Sequence, residues 1–157
     1  MMTTDRPQST RDATLRVERA GRIALEHRLI VAGYQVAVPV YDAGIDLIVF
    51  AEEPFKAWPV QLKAAATDPL SVQKKYDSRD MYMAYVHHAL SDTPIVFVMP
   101  YNEAVRIIAE PHAESASWKS EGIWRYPTLT ARLREEIEPY SKPENWFKGP
   151  TQRSAQC

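Results

Sequence analysis

Residues 44–65, GIDLIVFAEEPFKAWPVQLKAA, constrain this chain more than any other segment. Two short apolar runs, IDLIVFA and WPVQLKA, read as strands, and each carries polar groups where a buried strand should have none. Asp46 opens the first, and Gln61 and Lys63 stand two residues apart on the second. Side chains alternate faces along a strand, so Gln61 and Lys63 point the same way and Leu62 the other. If the strands pair, a carboxylate, an amide oxygen and an ammonium group converge. Such a trio outlines a metal-dependent phosphodiesterase site.

The flanking sequence predicts a mixed α/β core. Residues 12–32 read as a helix, with Ala20, Ile23, Ala24, His27 and Val31 on an apolar stripe and Glu18, Arg22 and Glu26 on another. Gly33 is the expected stop. YQVAVPV (34–40) alternates as a strand with Pro39 near its end, YDAG (41–44) is a turn, and EEPFKA is a loop between the two central strands. TDPLSVQKKYDSRD (67–80) reads as a polar connector, and MYMAYVHH (81–88) and IVFVMP (95–100) as strands. A short helix is expected over 102–110, irregular chain over 111–127, and a last helix from an N-cap at Thr128 to Glu138, ended by Pro139. Trp146 and Phe147 in the loop-like tail are expected to dock on the body.

Composition narrows the function classes. The chain has 157 residues, 45% hydrophobic and 25% charged, which suits one globular domain with a single core. No apolar run approaches the length of a membrane span. The polar start, MMTTDRPQSTRD, lacks a signal-peptide core, so a cytoplasmic location is expected. Cys157 is the one cysteine, which leaves no disulfide framework and no cysteine-based zinc site. A net charge of −1 argues against coating nucleic acid by bulk electrostatics but leaves room for a local basic channel. Arg11, Arg16, Arg19, Arg22 and Arg28 crowd the first helix, and Lys63, Lys74, Lys75 and Arg79 follow the second central strand.

Phosphodiester hydrolysis needs a cation against the developing charge and an activated water. Magnesium takes oxygen ligands and keeps several waters, so one or two protein oxygens suffice. Asp46 offers a carboxylate oxygen and Gln61 an amide oxygen. Lys63 can orient or deprotonate the attacking water, or steady the pentavalent phosphorus. A helix glutamate, Glu18 or Glu26, would complete the set. The two lie two turns apart on one face, and Glu18 is favoured because the N-terminal half of the helix should lie nearer the strand ends.

The order helix with glutamates, Gly33, VAVP, GIDLIV, VQLKA resembles the PD-(D/E)XK nuclease superfamily, which includes restriction endonucleases, Holliday junction resolvases and Mrr-like enzymes. The likeness covers residues 14–65 best. Asp46 matches the motif aspartate and Lys63 the motif lysine. Gln61 stands where Asp or Glu is usual, a Q-x-K form similar to the Mrr-like branch. Pro39 lies seven residues before Asp46, so the literal P-D dipeptide is absent. The resemblance implies a restriction endonuclease-like core, a central mixed sheet flanked by helices. It places the nuclease domain over 11–138, between a disordered tail (1–10) and a C-terminal tail (139–157) packed on the domain. It implies a magnesium-dependent DNA endonuclease, with manganese able to substitute, acting on duplex or branched DNA and pairing as a homodimer. Asp46 and Gln61 would hold the metal, with Lys63 and Glu18 or Glu26 beside them. Losing one negative charge at Gln61 weakens magnesium binding and favours one metal over two. It also leaves open a catalytically inactive module that binds DNA or protein, as an accessory component of a defence or mobile-element system.

Lys74, Lys75 and Arg79 are the expected phosphate contacts. His87 and His88, as strand neighbours, face opposite sides and cannot share a metal. His27 is expected to be buried and hydrogen-bonded. Trp118, Trp124, Tyr126, Trp146 and Phe147 are expected to form a core satellite. Their exposure instead would suit base stacking or a purely interaction role.

Overall fold

The computed structural model describes residues 7–41 and 43–148. Residues 1–6 of the tail expected over 1–10, the turn residue Asp42, the last nine residues and Cys157 with them lie outside that set. In chain order the elements are α1 (Pro7–Val31), β1 (Gln35–Ala37), β2 (Leu47–Glu52), β3 (Phe55–Ala64), β4 (Leu70–Gln73), β5 (Tyr82–His87), β6 (Ile95–Pro100), α2 (Tyr101–Ile108), α3 (Ala116–Ser120), β7 (Ile123–Tyr126) and α4 (Ala131–Ile137). Five strands form a mixed sheet in the order β1-β2-β3-β5-β6, parallel between β3 and β5 and antiparallel elsewhere. Helices flank it, so the chain is α/β. Among the described residues no helix is long and apolar enough to cross a membrane.

Each face of the sheet carries a core. Leu25 and Leu29 of α1 pack on Leu47, Val49, Val60, Ala84, Val86, Val96 and Val98. Trp146 and Phe147 close this side: Trp146 is fully buried, its Nε1–H donates to the Tyr140 carbonyl at 2.7 Å, and Phe147 stacks on Trp58. On the other face Met83, Tyr85, Phe97 and Met99 meet α2, α4, β4 and Trp118. Strands β5 and β6 are covered on both sides, which explains their continuous apolar sequence.

Several expectations need correction. The first helix starts at Pro7, inside the stretch read as disordered. Its buried stripe is Gly21, Leu25 and Leu29, whereas Ile23 and Val31 are 54% and 72% exposed and His27 is also exposed. The cause is Gly21: a Cβ there would lie 2.2 Å from the Ala64 Cβ, so the helix rolls its glycine onto β3. Hydropathy gives glycine no weight, and the stripe is therefore misphased. Within EEPFKA only Glu53 and Pro54 turn, since β3 already begins at Phe55. The polar connector contains β4, and the stretch read as irregular contains α3 and β7, which pair antiparallel as Leu70↔Tyr126 and Val72↔Trp124. Strands of four residues are too short to give a periodic signal. Thr130, not Thr128, caps α4, its hydroxyl accepting from the Leu133 N–H at 3.2 Å.

Polar side chains from the sheet and from the start of α2 pin β4 in place. The Tyr85 hydroxyl donates to the Ser71 carbonyl at 2.6 Å, and the Tyr101 hydroxyl accepts from the Gln73 N–H at 2.8 Å. Burial pushes Tyr101 up to about 12, so its hydroxyl stays protonated at working pH. His87 Nε2 lies 2.8 Å from the Pro69 carbonyl and must carry the proton, which leaves Nδ1 buried and bare. Burial depresses this imidazole below the usual histidine range, only partly offset by the Pro69 carbonyl. The unfolded chain then takes the proton first, so stability is full above about pH 6.5 and declines as pH falls below it. Denaturant titrations at pH 7.5 and 5.5 should show that loss, at up to about 1.4 kcal/mol per pH unit for one extra proton. His87→Gln should flatten it.

Candidate active site

The β2–β3 hairpin builds the floor of a cleft. Its register pairs Leu47 with Val60, and one step beyond, the Asp46 N–H donates to the Val60 carbonyl at 2.9 Å. Asp46 thus stands just beyond the paired part of β2, beside β3, and lines the same cavity as Gln61. The Leu62 N–H returns a 2.8 Å hydrogen bond to Asp46 Oδ2, which fixes the carboxylate at the strand end. Lys63 lies two residues beyond Gln61 and is exposed.

A cavity of about 740 Å³ opens over these residues. Asp46, Gln61, Leu62, Lys63 and Ala64 form its floor. Leu15, Glu18, Arg19 and Arg22 of α1 form one wall, and Gly44, Gln73 and Tyr76 the other. Two glycines set these walls. Gly21 brings α1 down on β3, which carries its neighbours Glu18 and Arg22 over the strand ends. Gly44 has φ +88°, and a Cβ there would lie 2.6 Å from the Tyr76 hydroxyl, so only glycine admits the tyrosine.

Asp46, Gln61, Lys63 and Glu18 therefore share one cleft. Glu26 does not line it; eight residues along a helix is about 12 Å. Among the described residues Lys63 and Glu18 form no salt bridge, so Lys63 does not neutralise Asp46. Lys74, Lys75 and Arg79 stand outside the cleft proper. The Lys74 amine lies 5.8 Å over the Trp118 ring, whereas the Lys75 amine and the Arg79 guanidinium cover the ring of Tyr76 at 4.8 and 5.0 Å. Sequence reading missed Arg19 and Arg22 as cleft residues, although Arg22 shares a helix stripe with Glu18. It also missed Tyr76 and Gln73, which arrive on a segment without periodicity.

The remaining histidines and aromatics are structural in position. His87 is buried and His88 exposed on opposite sides of the chain. His112 stacks on Trp124 at 4.1 Å and hydrogen-bonds the Tyr126 hydroxyl. Trp118 is buried, and Trp124 and Tyr126 pack against the second core.

One atom tests whether this cleft fits a divalent cation. Gln61 is 6% exposed, and among the described residues no group donates to its Oε1. An unmet buried acceptor costs roughly 1–3 kcal/mol, a cost that an ordered water or a cation would relieve. With Asp46 and Glu18 in the same lining, the oxygen donors available are all hard, the set magnesium prefers. Among the described residues no three acidic, histidine or cysteine side chains gather as a metal site. The residues fit the cation. No family model, curated protein or solved structure matches this chain.

Proposed function

We propose that the chain is a PD-(D/E)XK-type endonuclease that hydrolyses DNA phosphodiester bonds with magnesium or manganese. The observation that carries this reading is the undonated Gln61 Oε1, held in one cleft with Asp46, Lys63 and Glu18. Asp46 and Gln61 would hold the cation, which when bound supplies positive charge against the developing phosphorane. Asp46 Oδ2 stays engaged by the Leu62 N–H, so the other carboxylate oxygen would be the donor. The Lys63 ammonium, without a salt bridge among the described residues, donates to the scissile phosphate's oxygens. In its neutral form it takes a proton from the attacking water. Glu18 on the facing wall accepts a hydrogen bond from that water and aligns it. Lys75 and Arg79, carried on Tyr76, hold flanking phosphates.

Plasmid, linear duplex and branched DNA incubated with magnesium, manganese or EDTA test the reading. The expected result is metal-dependent cleavage that is lost in Asp46→Asn. The asparagine keeps an oxygen for the Leu62 N–H while removing the charge, so its fold should match the parent. Cleavage that survives Asp46→Asn would refute the site. DNA binding without cleavage on any substrate would favour the accessory-module reading, to which the neutral Gln61 already lends support.

A further inference from the structure

Among the described residues the cations lining the cleft form no salt bridge, and two of them, Arg19 and Arg22, occupy one wall. Arg19 and Arg22 face the cavity from α1, one turn apart beside Leu15 and Glu18. Among the described residues neither forms a salt bridge. Arginine elsewhere in this chain does pair: Arg106 with Glu103 and Glu136, Arg132 with Glu136, and Arg134 with Asp68. Arg16 belongs to the same helix but is exposed away from the cleft. Of the charged groups in the lining, Arg19, Arg22 and Lys63 outnumber Glu18 and Asp46 by one. The cleft is therefore cationic within a chain of net charge −1, before any metal is added.

We infer that Arg19 and Arg22 are phosphate-gripping residues, which hold the DNA backbone on the wall opposite Lys75 and Arg79. This rests on the nuclease reading for its substrate but adds a specific grip to it. The guanidinium offers a planar fork of donors suited to phosphate oxygens, and it stays charged at every working pH. Gly21 seats this part of the helix directly on Ala64, so both arginines work from a rigid wall. With Arg19 and Arg22 on one wall and Lys75 and Arg79 just beyond the other, one strand's backbone spans the cleft and presents a phosphate to the floor between them. The chain thus carries its basic channel locally, where bulk charge gives no sign of it.

The experiment is anisotropy of a labelled 25-base-pair DNA duplex in EDTA, over a salt series, with full-length protein. Each phosphate contact contributes roughly 0.9 to the slope of log affinity against log salt. Arg19→Ala and Arg22→Ala should each lower that slope by about one and weaken binding about tenfold. Arg16→Ala should leave slope and affinity as they are, and Arg22→Lys should recover most of the slope. Matched melting curves exclude misfolding. The inference is overturned if both cleft variants keep the parent slope, if Arg16→Ala lowers it equally, or if the parent does not bind the duplex. Cleavage with an unchanged slope in both variants would sink this inference and spare the nuclease reading. An arginine-dependent slope without cleavage would do the reverse.

Discussion

Lys63→Ala should lower the rate of DNA cleavage by about 10²–10⁴-fold, the range for loss of a positioned proton-transfer group. The side chain is exposed and free of a carboxylate partner, so its removal leaves no buried charge unpaired and the fold should hold. Half-maximal DNA concentration should change little, because one contact among several is lost. Single-turnover kinetics separate the two quantities, and a variant that cleaves within threefold of the parent would exclude Lys63 from the chemistry. Gln61→Glu provides the complementary experiment. A carboxylate at this buried position, with no protein donor, is penalised until a cation arrives. The variant should melt lower than the parent in EDTA and regain that loss in magnesium. It should also reach half-maximal cleavage at a lower magnesium concentration. Equal melting of parent and variant in EDTA would mean that Gln61 meets a donor after all.

The floor of the cleft was legible in sequence because strand alternation is a strict rule. Gln61 and Lys63 had to share a face, and pairing β2 with β3 had to bring Asp46 beside that end of β3. The fully covered strands β5 and β6 were legible for a related reason: long apolar runs have few alternatives. What escaped was whatever depended on close approach. Gly21 gave no hydropathy signal, yet it determines which stripe of α1 is buried and which side chains reach the cleft. The apolar residues Ile23 and Val31 therefore misled a reading that assumed the stripe had to be buried. The β4–β7 pair escaped because its order comes from tertiary pegs, the Tyr85 and Tyr101 hydroxyls and His87, and not from its own composition. Tyr76 belongs to the same class, since its place in the cleft depends on Gly44 having no side chain.

Gly21→Ala is accordingly the remote-looking substitution with the largest expected effect. In an isolated helix it would stabilise by roughly 0.5–1 kcal/mol. Here the new methyl would sit 2.2 Å from the Ala64 Cβ and 3.5 Å from its Cα. Neither contact is with the tip of a flexible side chain, so the helix or the strand must move. Overpacking of this kind typically costs about 1–3 kcal/mol, which outweighs the propensity gain. The displacement would also shift Glu18, Arg19 and Arg22 relative to Asp46 and Lys63, since the helix moves as a unit. A misplacement near 1 Å can cost on the order of 10²-fold in rate. The variant should therefore unfold at lower denaturant and cleave far more slowly even where it is fully folded. Ala64→Gly in the same chain removes the opposing methyl and should restore part of both. If Gly21→Ala instead matched the parent in stability and in cleavage, the seating of α1 on β3 would not be what positions the site.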